Sequence, residues 1–183
     1  MHRSVKKGRL LMKLLVVVDM QNDFIDGALG SPEAQAIVPN VRKKIDEYIA
    51  NGDKIIFTRD THHENYLETY EGKNLPVVHC VEKTYGWCIH DDIDEVDYLH
   101  IDKEYFGYNA WDLWIDFDVN EIEVVGLCTD ICVVSNALLI KADFPNVDIT
   151  VDASCCAGVS PESHKAALET MKMCQIKVIN DET

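Results

Sequence analysis

Leu14-Leu15-Val16-Val17-Val18-Asp19-Met20-Gln21-Asn22-Asp23-Phe24 begins as an unbroken apolar run, rich in β-branched residues, and turns polar at Asp19. A short continuous apolar run with a polar stop suits a strand buried on both faces. The residues that follow agree with that reading. Ser31, Pro32 and Glu33 supply an N-cap, an N1 proline and a first-turn acid. Ile37, Val41, Ile45, Tyr48 and Ile49 then recur at helical steps, and Asn51-Gly52 closes the helix. Further strands are expected over residues 54–58, 98–101, 121–127, 147–151 and 176–179, with helices over 132–142 and 161–173. Strand–helix alternation of this kind predicts an α/β fold: a Rossmann-like three-layer sandwich with a mostly parallel sheet of about six strands. No internal repeat or linker interrupts it. The irregular stretch over residues 62–97 is long for a compact domain, and such stretches are usually functional.

The chain has 183 residues, which suits a single domain. Folding at this size buries roughly 70% of the unfolded chain's surface, so no disulfide is needed for stability. The formal net charge of −15 argues against nucleic acid or an anionic membrane as a partner. Seven cysteines, with no CxxC pair, fit reduced thiols in the cytoplasm. The basic and apolar start runs directly into Asp19 and Asp23 without a small-residue cleavage site, so it reads as a core strand and not as a leader. No apolar run approaches the length of a membrane span.

In open parallel sheets, ligands bind beyond the carboxyl ends of the strands. Four expected strand ends carry Asp19, then Asp60-Thr61-His62-His63, then Asp102-Lys103, then Cys128-Thr129-Asp130-Ile131-Cys132. Cys132 lies at the start of the helix expected from about Thr129, where the dipole and free N–H groups favour a thiolate and could hold an oxyanion. Its other reading is a small buried hydrophobe. Lys103 is either a solvated ion pair or a cation that lowers a thiol pKa, and Asp19 is either a strand-end acid or a base. No separate histidine-base motif accompanies Cys132. Asp60-x-His62 with His79 is a possible set of metal ligands suited to zinc, iron or manganese. Glu64, Glu68 and Glu71 are possible further ligands, and His63 competes with His62.

These motifs resemble the isochorismatase-like cysteine hydrolases, in particular their nicotinamidase/pyrazinamidase branch. The resemblance runs from Leu14 to about Ile179. It rests on the D-x-Q-N-D-F turn at Asp19–Phe24, on Gly126-Leu127-Cys128-Thr129-Asp130-Ile131-Cys132-Val133, and on Asp60-x-His62 with His79-Cys80. It implies a catalytic triad of Asp19, Lys103 and Cys132, and an oxyanion hole from the backbone N–H groups of Cys128 and Cys132. It also implies a non-proline cis peptide at Leu127-Cys128. One divalent metal is implied on Asp60, His62 and His79, zinc before iron or manganese. Glu71 is taken as fourth ligand by its spacing to His79, with Glu68 and His63 as alternatives.

Residues 1–183 are then one hydrolase domain, with residues 1–12 a poorly ordered extension. The implied function is hydrolysis of nicotinamide to nicotinate and ammonia through a Cys132 thioester. The implied partner is a small amide, and the chain is expected to be a cytoplasmic homo-oligomer. Phe24, Tyr108 and Trp111 are the expected pocket walls. Two features depart from the family pattern. Leu75-Pro76-Val77-Val78 stands where an aromatic residue usually precedes the His79 position, and the aromatic segment after Lys103 is short. Another small amide or carbamoyl substrate, or a non-catalytic role, therefore stays open. A redox or zinc-storage role has no CxxC spacing to support it, and Cys88, Cys155 and Cys156 read as packing residues.

Overall fold

The computed structural model describes residues 12–93 and 98–181. Residues 1–11 of the expected N-terminal extension lie outside this range, whereas Met12 already belongs to the first strand. In chain order the regular elements are β1 (Met12–Val18), α1 (Asn22–Ile25), α2 (Pro32–Asn51), β2 (Lys54–Asp60), α3 (Tyr70–Asn74) and β3 (Leu99–Lys103). They continue with β4 (Val119–Leu127), α4 (Val134–Asp143), β5 (Asp148–Ala157), α5 (Pro161–Met173) and β6 (Lys177–Ile179). The strands form one sheet in the order β3-β2-β1-β4-β5-β6, and every pairing is parallel.

β1 explains the arrangement. Its Leu15 and Val17 pack under α2 with Ile37, Val41, Ile45 and Phe57. Its Leu14, Val16 and Val18 pack on the other face with Ile140 of α4 and with Leu168 and Met171 of α5. Alternate residues of one strand thus feed two cores, which is why the run is apolar without interruption. The helices end where their capping residues dictate. Ser31 Oγ accepts from Ala34 N at 3.0 Å, and Gly52 closes α2 at φ 72°. Ser160 and Ser163 cap α5 reciprocally.

Some features differ from the sequence reading. β3 runs to Lys103 because it is an edge strand whose Asp102 pairs with Arg59 at 2.7 Å, so polar residues do not end it. β5 extends six residues past Val151, to Ala157. Its Asp152 and Ser154 hid that extension by breaking the apolar pattern. Cys88, expected to pack, is exposed, while Cys155 and Cys156 are buried.

Asp152 belongs to a half-buried ionic network that fastens α2 to the sheet. Lys44 Nζ lies 2.8 Å from Glu123 Oε1 and 2.9 Å from Asp152 Oδ2. Tyr48 donates to Glu123 Oε2 at 2.8 Å, and Asn180 donates to Asp152 Oδ1 at 3.0 Å. Burial opposes the Asp152 charge, but hydrogen bonds from Asn180, Ser154 and Lys44 outweigh it and hold the carboxyl below its usual range. A carboxyl depressed in the folded state stabilises above its unfolded pKa, and that contribution is lost as pH falls through the folded value. Lys44→Met is therefore expected to cost about 1–2 kcal/mol in urea unfolding at neutral pH, because it leaves the buried Asp152 and the half-buried Glu123 without their cation, in a network that water partly screens. The cost should shrink once the pH drops below about 4, where free carboxyls take up protons.

Candidate active site

The strand order reverses between β1 and β4, the switch point beyond whose carboxyl ends open parallel sheets bind ligands. Asp19 leaves β1 at φ 49° and is fully buried. Thr58 Oγ1 donates to Asp19 Oδ1 at 2.6 Å. Lys103, at the end of β3, reaches across β2, and its Nζ lies 2.6 Å from Asp19 Oδ2 and 3.4 Å from Asp60 Oδ1. The same ammonium donates to Cys132 Sγ at 3.6 Å. Burial pushes the Cys132 thiol well above its usual range, with Lys103 opposing and Asp19 adding to the rise. Burial also raises the Asp19 carboxyl, against the pull of Lys103. Burial alone would lower the Lys103 pKa, but Asp19, Cys132 and Asp60 outweigh it and raise it. These directions favour a charged lysine and a protonated thiol.

The turn that carries Cys132 is tied down on several sides. Gly126 stands at φ 119°, and a Cβ there would overlap the Val18 carbonyl, so only glycine lets β4 close on β1. The Leu127-Cys128 peptide is cis. A five-residue π turn, Thr129–Val133, precedes α4, where the sequence suggested a helix running straight on from Cys132. Side chains account for the wider turn. Ser135 Oγ takes the Ile131 carbonyl at 2.6 Å and Asn136 Nδ2 takes the Cys132 carbonyl at 2.8 Å. Thr129 Oγ1 lies 2.8 Å from His164 Nδ1, and both Asp130 carboxylate oxygens accept from Val159 N at 3.1 Å.

A second cluster adjoins the first through Asp60. One ligand atom each from Asp60, His62, Glu71 and His79 falls within 4.8 Å of the others. His62 Nε2 is 2.9 Å from Asp60 Oδ2 and 3.5 Å from Glu71 Oε1. It is buried and yet makes no well-directed hydrogen bond. His79 Nδ1 pairs with the Val77 carbonyl at 2.7 Å, which turns Nε2 toward the carboxylates. Burial opposes the His62 charge, but Asp60 and Glu71 outweigh it and raise its pKa to about 9. Two imidazoles and two carboxylates around an orphaned buried nitrogen fit a divalent cation of the zinc, iron or manganese type. Glu64 and Glu68 are exposed, and His63 instead faces Glu104 at 3.3 Å.

Several residues in this region carried no assigned role in the sequence. Gln21 accepts from Asp60 N at 2.7 Å and donates to the Asp60 and Trp87 carbonyls, each at 2.8 Å. Asn22 donates to the Tyr85 carbonyl at 2.8 Å, and Asp23 accepts from Cys80 N at 2.7 Å. This polar triplet is the template on which the His79 loop is laid. The sequence marked the three only as part of the turn motif that follows the first strand. Tyr66, fully buried, packs on both imidazoles with centroids 4.6 and 5.1 Å away. Among the expected pocket walls, Phe24 lies with its ring 5.5 Å from that of His79. Tyr108 is half-buried, and Trp111 is completely buried behind it, edge to face at 5.6 Å. Trp111 thus supports the Tyr108 ring and presents no surface of its own.

The isochorismatase domain family matches residues 13–183. The nicotinamidase of Saccharomyces cerevisiae is 27% identical over 92% of this chain and 100% of its own length. The nicotinamidase/pyrazinamidase of Mycobacterium tuberculosis is also 27% identical, over 92% of this chain and 98% of its own. The crystal structure of the pyrazinamidase of Pyrococcus horikoshii in complex with zinc superposes with a TM-score of 0.79 at 31% identity, covering 91% of this chain and 98% of that one.

If the four side chains act together on one cation, His79→Ala should weaken zinc binding by about 10²-fold in a chelator-competition titration. An unchanged affinity would show that they do not. Stripping the metal should leave thermal unfolding cooperative, because both cores lie outside the cluster.

Proposed function

The chain belongs to the isochorismatase family, and we propose that it is a metal-assisted cysteine amidohydrolase that converts nicotinamide and water to nicotinate and ammonia. One observation carries this reading: a buried lysine that touches a thiol, a carboxylate and a metal-type cluster at once. Residues 1–183 are read as one hydrolase domain, acting in the cytoplasm as a homo-oligomer.

In this reading Asp19 takes the Cys132 proton, and the thiolate is held beside the Lys103 ammonium. The sulfur attacks the carboxamide carbon, and the carbonyl electron pair moves onto oxygen. Backbone N–H groups of Cys128 and Cys132 receive the oxyanion, a contribution worth about 10²–10³ in rate per donor. As the intermediate collapses, Asp19 returns its proton to the departing nitrogen, the C–N bond breaks and ammonia leaves. Asp19 then takes a proton from water, whose oxygen attacks the thioester carbon. Cleavage of the C–S bond releases nicotinate, and the proton returns to the thiol. A divalent cation on Asp60, His62, Glu71 and His79 would supply a Lewis-acidic anchor for the ring nitrogen of a pyridine substrate.

A second reading changes the substrate and keeps the chemistry. Leu75 and Val78 precede His79 and are exposed, with no aromatic ring among residues 75–78 to close over a pyridine. Another small amide or carbamoyl compound would then be cut by the same three residues.

The test is ammonia release from nicotinamide by the zinc-loaded protein. Prompt release is expected, with turnover in Cys132→Ala lower by about 10⁴-fold or more and its melting temperature unchanged. Near-normal turnover in Cys132→Ala would sink the thioester mechanism. Turnover of other amides in a panel, with none of nicotinamide, would favour the second reading.

A further inference from the structure

We infer that Asn136 is a positioning residue that sets the spacing between Lys103 and Cys132 by stapling the segment after β3 to the nucleophile turn. The inference rests on the reading of these two residues given above. Asn136 occupies the first turn of α4 and is completely buried beside Val133 and Ala137, a position that packing alone would fill with an apolar residue. Its side chain uses every polar valence except the second oxygen lone pair. Nδ2 donates to the Cys132 carbonyl at 2.8 Å and to the Phe106 carbonyl at 3.1 Å, and Oδ1 accepts from Tyr108 N at 2.9 Å. One amide therefore holds the nucleophile's own backbone and two backbone groups of the segment that begins directly after Lys103.

The fold explains why such a staple matters. β3 is an edge strand, and two strands separate it from β4 in the sheet. The ladder to β2 ends at the pair Asp60 and Lys103. Beyond it, residues 104–110 form no regular element. Among the described residues, both hydrogen bonds that join this segment to α4 are made by Asn136. Between them Gly107 lies so close to the helix that a Cβ there would stand 2.6 Å from Leu139 Cδ1 and 3.3 Å from Ser135 Cβ. The segment and the helix thus meet through one buried polar contact and one close backbone approach. The Lys103–Cys132 contact of 3.6 Å spans the same gap.

Asn136→Ser separates the staple from the turn. A serine there can still return its hydroxyl to the Cys132 carbonyl, as Ser135 does to Ile131, but it cannot reach the segment. The measurement is the pH dependence of Cys132 alkylation by iodoacetamide in the zinc-loaded protein, followed by mass spectrometry. It needs no substrate, so it stands whether or not nicotinamide is turned over. In Asn136→Ser the midpoint is expected to rise by about one pH unit as the lysine draws away from the sulfur. Where nicotinamide is hydrolysed, kcat should fall about tenfold with KM changed by less than about threefold. An unshifted midpoint in a folded Asn136→Ser overturns the inference, whatever the activity. If Asn136→Ser fails to fold, Gly107→Val decides from the other side. It pushes the segment off α4 and leaves Asn136 in place, so the same upward shift supports the staple and an unshifted midpoint overturns it.

Discussion

Lys103 is a cation with 1% of its side chain exposed, and the site is built around keeping it charged. An ammonium removed from water costs several kcal/mol unless it is paired and hydrogen-bonded. Here a strand-end carboxylate, a cluster carboxylate and a thiol surround it. Each comes from a different strand end, so satisfying one buried charge requires β1, β2, β3 and β4 to finish at the same level. The registers supply that level: Val18 lies opposite both Thr58 and Gly126, and Asp60 opposite Lys103. Breaking one partner away would leave the others uncompensated in a low-dielectric crevice, which is why the residues act as a unit.

The parts of the fold that were legible in sequence are those whose signals are local. The unbroken β1 run, the Ser31 and Ser160 caps and the Gly52 stop each depend on residues a few positions apart. The polar ends of β3 and β5 were not legible. Asp102 and Asp152 are charged for the sake of partners 43 and 28 positions away, Arg59 and Asn180. A helical pattern also gave no hint that the turn before α4 would widen, because the carbonyls taken by Ser135 and Asn136 are claimed by side chains and not by spacing.

The same distinction runs through the site. The types of residue at the strand ends could be read directly, since an aspartate, a lysine and a cysteine each follow an apolar run. The residues that hold them in place could not. Gln21 bonds to Asp60 and Trp87, 39 and 66 positions on, and Asp23 reaches Cys80 across 57. Asn136 has no local signature, because Phe106 and Tyr108, which it holds, lie 30 and 28 positions away. A motif quoted as a string therefore divides physically: Asp19 faces Lys103 and Cys132, while Gln21, Asn22 and Asp23 shape the loop that brings His79 to Asp60.

Charge ties the two clusters together. Asp19, Asp60 and Glu71 bring three acidic side chains together, and Lys103 brings one basic one, so acids are in excess where Asp60 joins the clusters. A divalent cation cancels that excess. In its absence His62, with its pKa raised to about 9 by Asp60 and Glu71 against the cost of burial, can hold one proton in its place. Cation binding would then expel that proton and leave a neutral imidazole as ligand. Asp60 is the shared member, oriented by Gln21 and divided between Lys103 and the imidazoles. A cation held by the cluster would compete with Lys103 for Asp60, the carboxylate common to both. On this argument a cation would tune the Cys132 thiol without touching it, through a single carboxylate that belongs to both clusters.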